Sequence, residues 1–134
     1  MDFKVAIVDD DAVVLFLHEV LVKRSCLPPV VFSCKNACDA IKELESKNVD
    51  STPFLLLLDI NMPVMNGWEF LDAIQEKYYK ENIIVALVTS SINMQDRKTA
   101  ERYSQVIHYF EKPLTTESLN YLCEKVKSLL LNKD

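Results

Sequence analysis

The chain has 134 residues, 49% hydrophobic and 26% charged, which fits one domain of typical size, ~100–150 residues. Its 15 basic and 20 acidic side chains leave a net charge of −5, which argues against nucleic acid or an anionic membrane surface as a partner, since both call for clustered positive charge. No apolar run exceeds six residues, against the ~20 a membrane span needs, and Met1-Asp2-Phe3-Lys4 has no signal-peptide layout, so one soluble globular domain is expected.

Phe3 to Val8 reads as a first strand, rich in β-branched residues, and it stops abruptly at Asp9-Asp10-Asp11. Asp11 suits the N-cap of a helix reaching about Lys23, with Ala12, Phe16, Glu19, Val20 and Lys23 at helical spacing. Pro28-Pro29 breaks the chain, and Val30 to Cys34 is a second strand. Asn36 caps a helix with Ala37, Ile41 and Leu44 on one face. After a polar loop from Asn48 to Pro53, Phe54-Leu55-Leu56-Leu57-Leu58 is apolar throughout, as in a strand covered on both faces, and it ends at Asp59. A helix carrying Trp68, Phe70, Leu71 and Ile74 follows Gly67, and Ile83 to Val88 is a fourth strand ending in Thr89-Ser90-Ser91. The next helix, about Met94 to Ser104, offers only Met94, Ala100 and Tyr103 for a buried stripe. Val106 to Phe110 is the fifth strand, ending in Glu111-Lys112-Pro113. A last helix from about Thr115 carries Leu119, Leu122, Cys123, Val126, Leu129 and Leu130 along one stripe.

Five strands alternating with five helices imply βαβ units, hence an α/β fold with a parallel sheet and right-handed crossovers. No linker, repeat or low-complexity segment appears, so residues 1–134 read as a single domain with no output domain. Cys26, Cys34, Cys38 and Cys123 form neither a CxxC pair nor a tetrahedral metal set and read as reduced, mostly buried thiols. His18 and His108 have no partner in the sequence pattern that would make them ligands or bases and read as structural.

In a parallel sheet, Asp9 and Asp10 after strand 1, Asp59 after strand 3, Thr89 after strand 4 and Lys112 after strand 5 share the carboxyl edge, where open α/β sheets bind ligands. Three carboxylates in one cleft repel and raise one another's pKa unless a cation compensates. The compensators to hand are a hard divalent ion with oxygen ligands, Mg²⁺ first among them, and the Lys112 ammonium. With the Thr89 hydroxyl these groups form a receptor for a phosphoryl group. Singly each is bland, for a Thr ending a strand is usually a turn residue and Lys-Pro is common in loops.

Four segments carry a resemblance across essentially the whole chain: Val8-Asp9-Asp10-Asp11, Asp59-Ile60-Asn61-Met62-Pro63-Val64-Met65-Asn66-Gly67, Val88-Thr89-Ser90 and Tyr109-Phe110-Glu111-Lys112-Pro113. Together they resemble the receiver domains of two-component response regulators. The resemblance implies a doubly wound, five-stranded parallel sheet in the flavodoxin-like order 2-1-3-4-5, flanked by five helices. It implies Asp59 as the nucleophile that takes a phosphoryl group from a partner's phosphohistidine. Mg²⁺ would be held by Asp9, Asp10, Asp59 and the backbone carbonyl of Asn61, with Asp10 the more direct ligand. Lys112 would pair with the phosphoryl oxygens, Thr89 would hydrogen-bond one of them, Ser90 would leave room for the group, and the Lys112–Pro113 bond would be cis. Tyr109 falls at the aromatic switch position, moving inward as Thr89 shifts, so that the helix 4–strand 5–helix 5 face would carry the signal to a downstream protein target.

The implied protein is a stand-alone response regulator, a monomer or weak dimer in a bacterial cytoplasm. Its donor would be a sensor histidine kinase or a histidine phosphotransfer protein. It would be no enzyme beyond assisting its own phosphorylation and hydrolysis, with Asn61 and Ser91 tuning water access. A phosphorelay shuttle is a second reading within the family. A haloacid dehalogenase-like phosphatase would need an acid two positions after the nucleophile, where this chain has Asn61. A flavodoxin would need a Ser/Thr/Gly-rich phosphate loop after strand 1, where three carboxylates stand. One departure is Gln105-Val106-Ile107-His108, where receivers usually carry small residues; with Gly67 the sole glycine, a stiffer or differently shaped loop is expected before strand 5.

Overall fold

The structure is a computed structural model and describes residues 2–47, 49, 51–90 and 93–132. Its strands are β1 (Lys4–Val8), β2 (Val30–Cys34), β3 (Phe54–Leu58), β4 (Ile83–Thr89) and β5 (Val106–Glu111). The helices are α1 (Ala12–Arg24), α2 (Ala37–Ser46), α3 (Gly67–Gln75), α4 (Met94–Ala100) and α5 (Thr116–Leu131), with a short 3-10 turn at Lys80–Asn82. The strands form one parallel sheet in the order β2-β1-β3-β4-β5, as the resemblance implied.

Each α-helix starts where a short polar side chain satisfies a backbone N–H that the helix leaves open. Asp11 accepts from Val13, Asn36 from Asp39, Asn66 from Glu69, Asn93 from Asp96 and Thr115 from Ser118. The Glu69 side chain returns the bond to the Asn66 backbone N–H, which completes a capping box at α3.

The period-2 alternation of strand side chains divides the core into two layers. Ala6, Val8, Leu56, Leu58, Val85 and Leu87 point toward α2, α3 and α4, where Leu44, Phe70, Leu71 and Ile74 meet them. Val5, Ile7, Leu55, Leu57, Ile84 and Ala86 point the other way, onto Leu15 and Val22 of α1 and Leu119, Leu122, Cys123 and Val126 of α5. All five residues of β3 are buried, because this strand is central and covered twice.

Several expectations are corrected. α1 packs through Leu15, His18 and Val22, while Phe16 is 65% exposed, because six consecutive apolar residues, Ala12 to Leu17, make its inward face ambiguous from spacing. α4 ends at Ala100 rather than Ser104, and Met94 is 75% exposed, so the helix buries little beyond Ala100 itself. Leu129 of the α5 stripe is exposed. Only Cys34 and Cys123 are buried; Cys26 and Cys38 lie at the surface.

Candidate functional site

The carboxyl ends of the strands converge because the sheet is parallel and its registers are aligned. Val8 pairs with Leu58, Asp59 N–H donates to the Val8 carbonyl at 2.9 Å, and Asp9 N–H donates to the Cys34 carbonyl at 3.0 Å. These bonds hold the first residues beyond β1 and β3 side by side. Oxygen atoms of Asp9, Asp10 and Asp59 lie within 4.8 Å of one another, with Asp9 and Asp59 buried and Asp10 exposed. Beyond β5, the Lys112 backbone N–H donates to the Thr89 carbonyl at 2.8 Å, and the Lys112–Pro113 peptide is cis. The Lys112 ammonium donates to Asp9 Oδ2 at 2.8 Å and stands 3.9 Å from Asp59 Oδ2.

This division of charge matters. Asp9 is well compensated, since its Oδ1 also accepts from the Asp11 N–H at 2.9 Å. Among the described residues, Asp59 receives only a long bond from the Asn61 N–H at 3.3 Å and the more distant ammonium. Burial, followed by the charge of Asp9 and then of Asp10, pushes the Asp59 carboxyl up to about 6, against the opposing pull of Lys112 and the Asn61 N–H. An all-oxygen cluster short of positive charge suits a hard divalent cation such as Mg²⁺. Asp9, Asp10 and Asp59 would hold the ion, which would supply neutralisation where phosphoryl oxygens approach.

The loop after Asp59 is shaped by two unusual backbone positions. Gly67, at the start of α3, donates its N–H to the Ile60 carbonyl at 2.8 Å, and a Cβ there would meet the Asp59 carbonyl oxygen at 2.8 Å and Ile60 Cα at 2.9 Å. Only glycine allows α3 to approach this closely beneath Asp59. Val64, 97% exposed, has φ of 70°, in the left-handed region that a β-branched residue occupies at a cost of roughly 1–2 kcal/mol.

Of the residues expected in the site, Asp9, Asp10, Asp59 and Lys112 are brought together, and Thr89 ends β4 beside them, buried. Asn61 is exposed and contributes its N–H to Asp59. Ser90 is exposed at the same edge, while Ser91 lies outside the described residues. Tyr109 lies in β5 opposite Leu87, and its hydroxyl accepts from Arg97 Nη1 at 2.7 Å.

A family model described as "Response regulator receiver domain" matches residues 5–124. The chain belongs to that family. Receiver domains serve two-component signal transduction, and the flavodoxin and haloacid dehalogenase readings give way to this one. The sensor histidine kinase CheAY of Helicobacter pylori is 30% identical over 103 residues, 76% of this receiver chain and 13% of that protein. The transcriptional regulatory protein CitT of Halalkalibacterium halodurans is 30% identical over 118 residues, 88% of this chain and 49% of its own length. The receiver chain thus spans about half or less of these curated relatives. A two-component response regulator from Cytophaga hutchinsonii superposes with a TM-score of 0.84 at 32% identity, covering 93% of this chain and 96% of that one. A receiver protein from Dyadobacter fermentans gives 0.80 at 28% identity, covering 92% and 97%.

Two features were missed by sequence reasoning. The first is the outer face of α1: Val13, Phe16 and Leu17 are 65%, 65% and 52% exposed, and a cavity of about 530 Å³ runs from Leu17, His18 and Leu21 to Ser90, Lys112, Pro113 and Leu114. Burial, and to a lesser degree the Lys112 ammonium, hold the His18 pKa below its ordinary value against the pull of Asp9. The signal was the run Val13-Val14-Leu15-Phe16-Leu17, more apolar than one packed face requires. The second is the Arg97–Tyr109 contact, which no sequence spacing announces.

Proposed function

We propose that Asp59 accepts a phosphoryl group from the phosphohistidine of a sensor histidine kinase or histidine phosphotransfer protein, with Mg²⁺ in the acidic pocket. The altered α4–β5–α5 face then engages a downstream protein. The observation that carries this reading is the under-compensated Asp59: a buried carboxylate with two acidic neighbours, whose nearest cation is committed to Asp9. A carboxylate oxygen of Asp59 attacks phosphorus, the P–N bond to the donor imidazole breaks, and an acyl phosphate remains. Lys112 stands near enough to swing from Asp9 toward the new phosphoryl oxygens, and the Thr89 hydroxyl ends the neighbouring strand.

The apolar face of α1 supports a protein donor. It borders Lys112 directly, and exposed side chains such as Phe16 and Leu17 beside an acidic pocket suit an apolar contact surface. The test is incubation with acetyl phosphate and Mg²⁺ followed by intact-mass measurement. One added phosphoryl group, lost in Asp59→Asn, agrees with the proposal; unmodified protein, or modification that survives Asp59→Asn, contradicts it.

A further inference from the structure

Two of the four cysteines meet on the α1–α5 side of the sheet, although they stand 97 positions apart in sequence. Cys26 lies just beyond α1, at the surface, and Cys123 lies in α5, buried. The Cys123 thiol donates to the Cys26 carbonyl at 3.3 Å. The Cys26 N–H donates to Asn120 Oδ1 at 2.9 Å, and Cys26 Sγ stands 4.0 Å from the Asn120 carbonyl oxygen. Asn120 precedes Cys123 by about one turn of α5. Both main-chain groups and the sulfur of Cys26 therefore rest on the turn that carries the other thiol.

The local chain holds this arrangement in place. Ser25 Oγ, at the end of α1, donates to the Val22 carbonyl at 2.8 Å and accepts from the Leu27 N–H at 3.1 Å. Leu27 is buried in the same apolar layer as Cys123, together with Val22 and Val126, and Pro28-Pro29 follow it. Cys26 is thus fixed between two anchored residues while its thiol stays at the surface. A disulfide tolerates Cα atoms no more than roughly 7 Å apart. With the Cys123 sulfur already against the Cys26 main chain, closing such a bond calls for side-chain rotation rather than backbone movement.

The two thiols differ in surroundings. Burial first, then hydrogen bonding with the Cys26 side chain and the charge of Cys26, push the Cys123 thiol up to about 11. Cys123 alone is therefore a poor nucleophile shut away from solvent, whereas Cys26 can meet an oxidant.

We propose that Cys26 and Cys123 form a reversible redox pair, closing to an intramolecular disulfide that ties the end of α1 to α5 in the presence of hydrogen peroxide. The Cys26 sulfur attacks the O–O bond, which breaks to leave a sulfenic acid at Cys26 and release one water. The Cys123 sulfur then attacks the sulfenic sulfur. The S–O bond breaks, and the hydroxyl leaves with the Cys123 proton as a second water. Each sulfur gives up one electron, and the peroxide takes both. A dithiol restores the two thiols by exchange. Cys26 precedes β2, at the sheet edge opposite Asp59, so the bond forms away from the acidic pocket and does not depend on phosphoryl chemistry.

The test treats the reduced, native chain with hydrogen peroxide, alkylates the remaining thiols in urea and maps chymotryptic peptides, since cleavage after Phe32 separates Cys26 from Cys34. The expected product is a monomer lighter by two hydrogen atoms before alkylation. Cys26 and Cys123 should be linked, Cys34 and Cys38 alkylated, and dithiothreitol should undo the link. In Cys26→Ser, a surface change that spares the core, Cys123 should be alkylated as fully as in the untreated chain. The oxidised chain should also unfold at higher urea than the reduced one, because the bond closes a long loop of the unfolded chain. Four alkylated thiols after treatment, sulfinic acid at Cys26 with Cys123 free, a link to Cys34 or Cys38, disulfide-joined dimers alone, or a urea midpoint no higher after oxidation would overturn the proposal.

Discussion

At the scale of single residues the site is a problem of uncompensated charge. The Asp59 carboxyl is pushed from 3.8 to about 6, so the folded chain holds its proton more firmly than the unfolded chain does. A carboxyl raised in this way costs nothing below the lower value and opposes folding increasingly as pH rises through that interval. In the absence of divalent cations, Asp59→Asn should therefore be more stable than the parent at pH 7 by on the order of 2–3 kcal/mol. The advantage should shrink toward pH 4. Urea titrations at the two pH values check this, and a variant no more stable at pH 7 would contradict it. Two backbone positions give opposite expectations. Gly67→Ala forces a Cβ onto the Asp59 carbonyl and should cost about 1–3 kcal/mol while slowing phosphorylation. Val64→Gly relieves a strained φ and should gain about 0.5–1 kcal/mol after the added freedom of the unfolded chain is counted. The carboxylates, Thr89 and Lys112 were legible in the sequence because each ends a strand or stands within two residues of its end. The preference of Lys112 for Asp9 over Asp59 was not, because it depends on ångström-scale placement.

At the scale of elements, α1 and α4 are the two helices with business outside the core. α1 borders the pocket and exposes Phe16 and Leu17, so Phe16→Ala should slow transfer from a histidine phosphotransfer protein several-fold and leave the acetyl phosphate rate unchanged. Equal slowing with both donors would place the defect in the chemistry instead. α4 buries Ala100 and is otherwise held by polar and ring contacts: Arg97 on Tyr109, the Tyr103 hydroxyl on Asp72 at 2.7 Å, and the stack of Tyr103 on Trp68. Such an element opens at low free energy. Phosphorylation should change amide exchange from Met94 to Tyr109, and unchanged protection there would count against the switch. The weakness of α4 was readable from its apolar-poor sequence, although its extent was overread, because Tyr103 packs from the turn beyond the helix. The inward face of α1 was not legible, since a run of apolar residues that covers both faces of a helix does not show which one packs on the core.

At the scale of the whole molecule, topology does the assembling. The strands β1, β3, β4 and β5 each end at the same edge, so groups as distant in sequence as Asp9 and Lys112 meet at 2.8 Å. Alternation of apolar side chains in β1, β3 and β4 divides them between two helical layers and fixes the register that sets this edge. That architecture was legible from the order of apolar runs and their polar stops. The slip at Ile107, whose carbonyl accepts from Lys125, was not, because no residue pattern in Val106 to Phe110 marks a skipped position. The central claim is that Asp59, among the three clustered carboxylates, receives the phosphoryl group. Borohydride reduction of the acetyl phosphate-treated chain, followed by peptide mass spectrometry, tests it most directly, since an aspartyl phosphate is reduced to homoserine. Homoserine at position 59 is the predicted result; homoserine at position 9 or 10, or none at all, would contradict it.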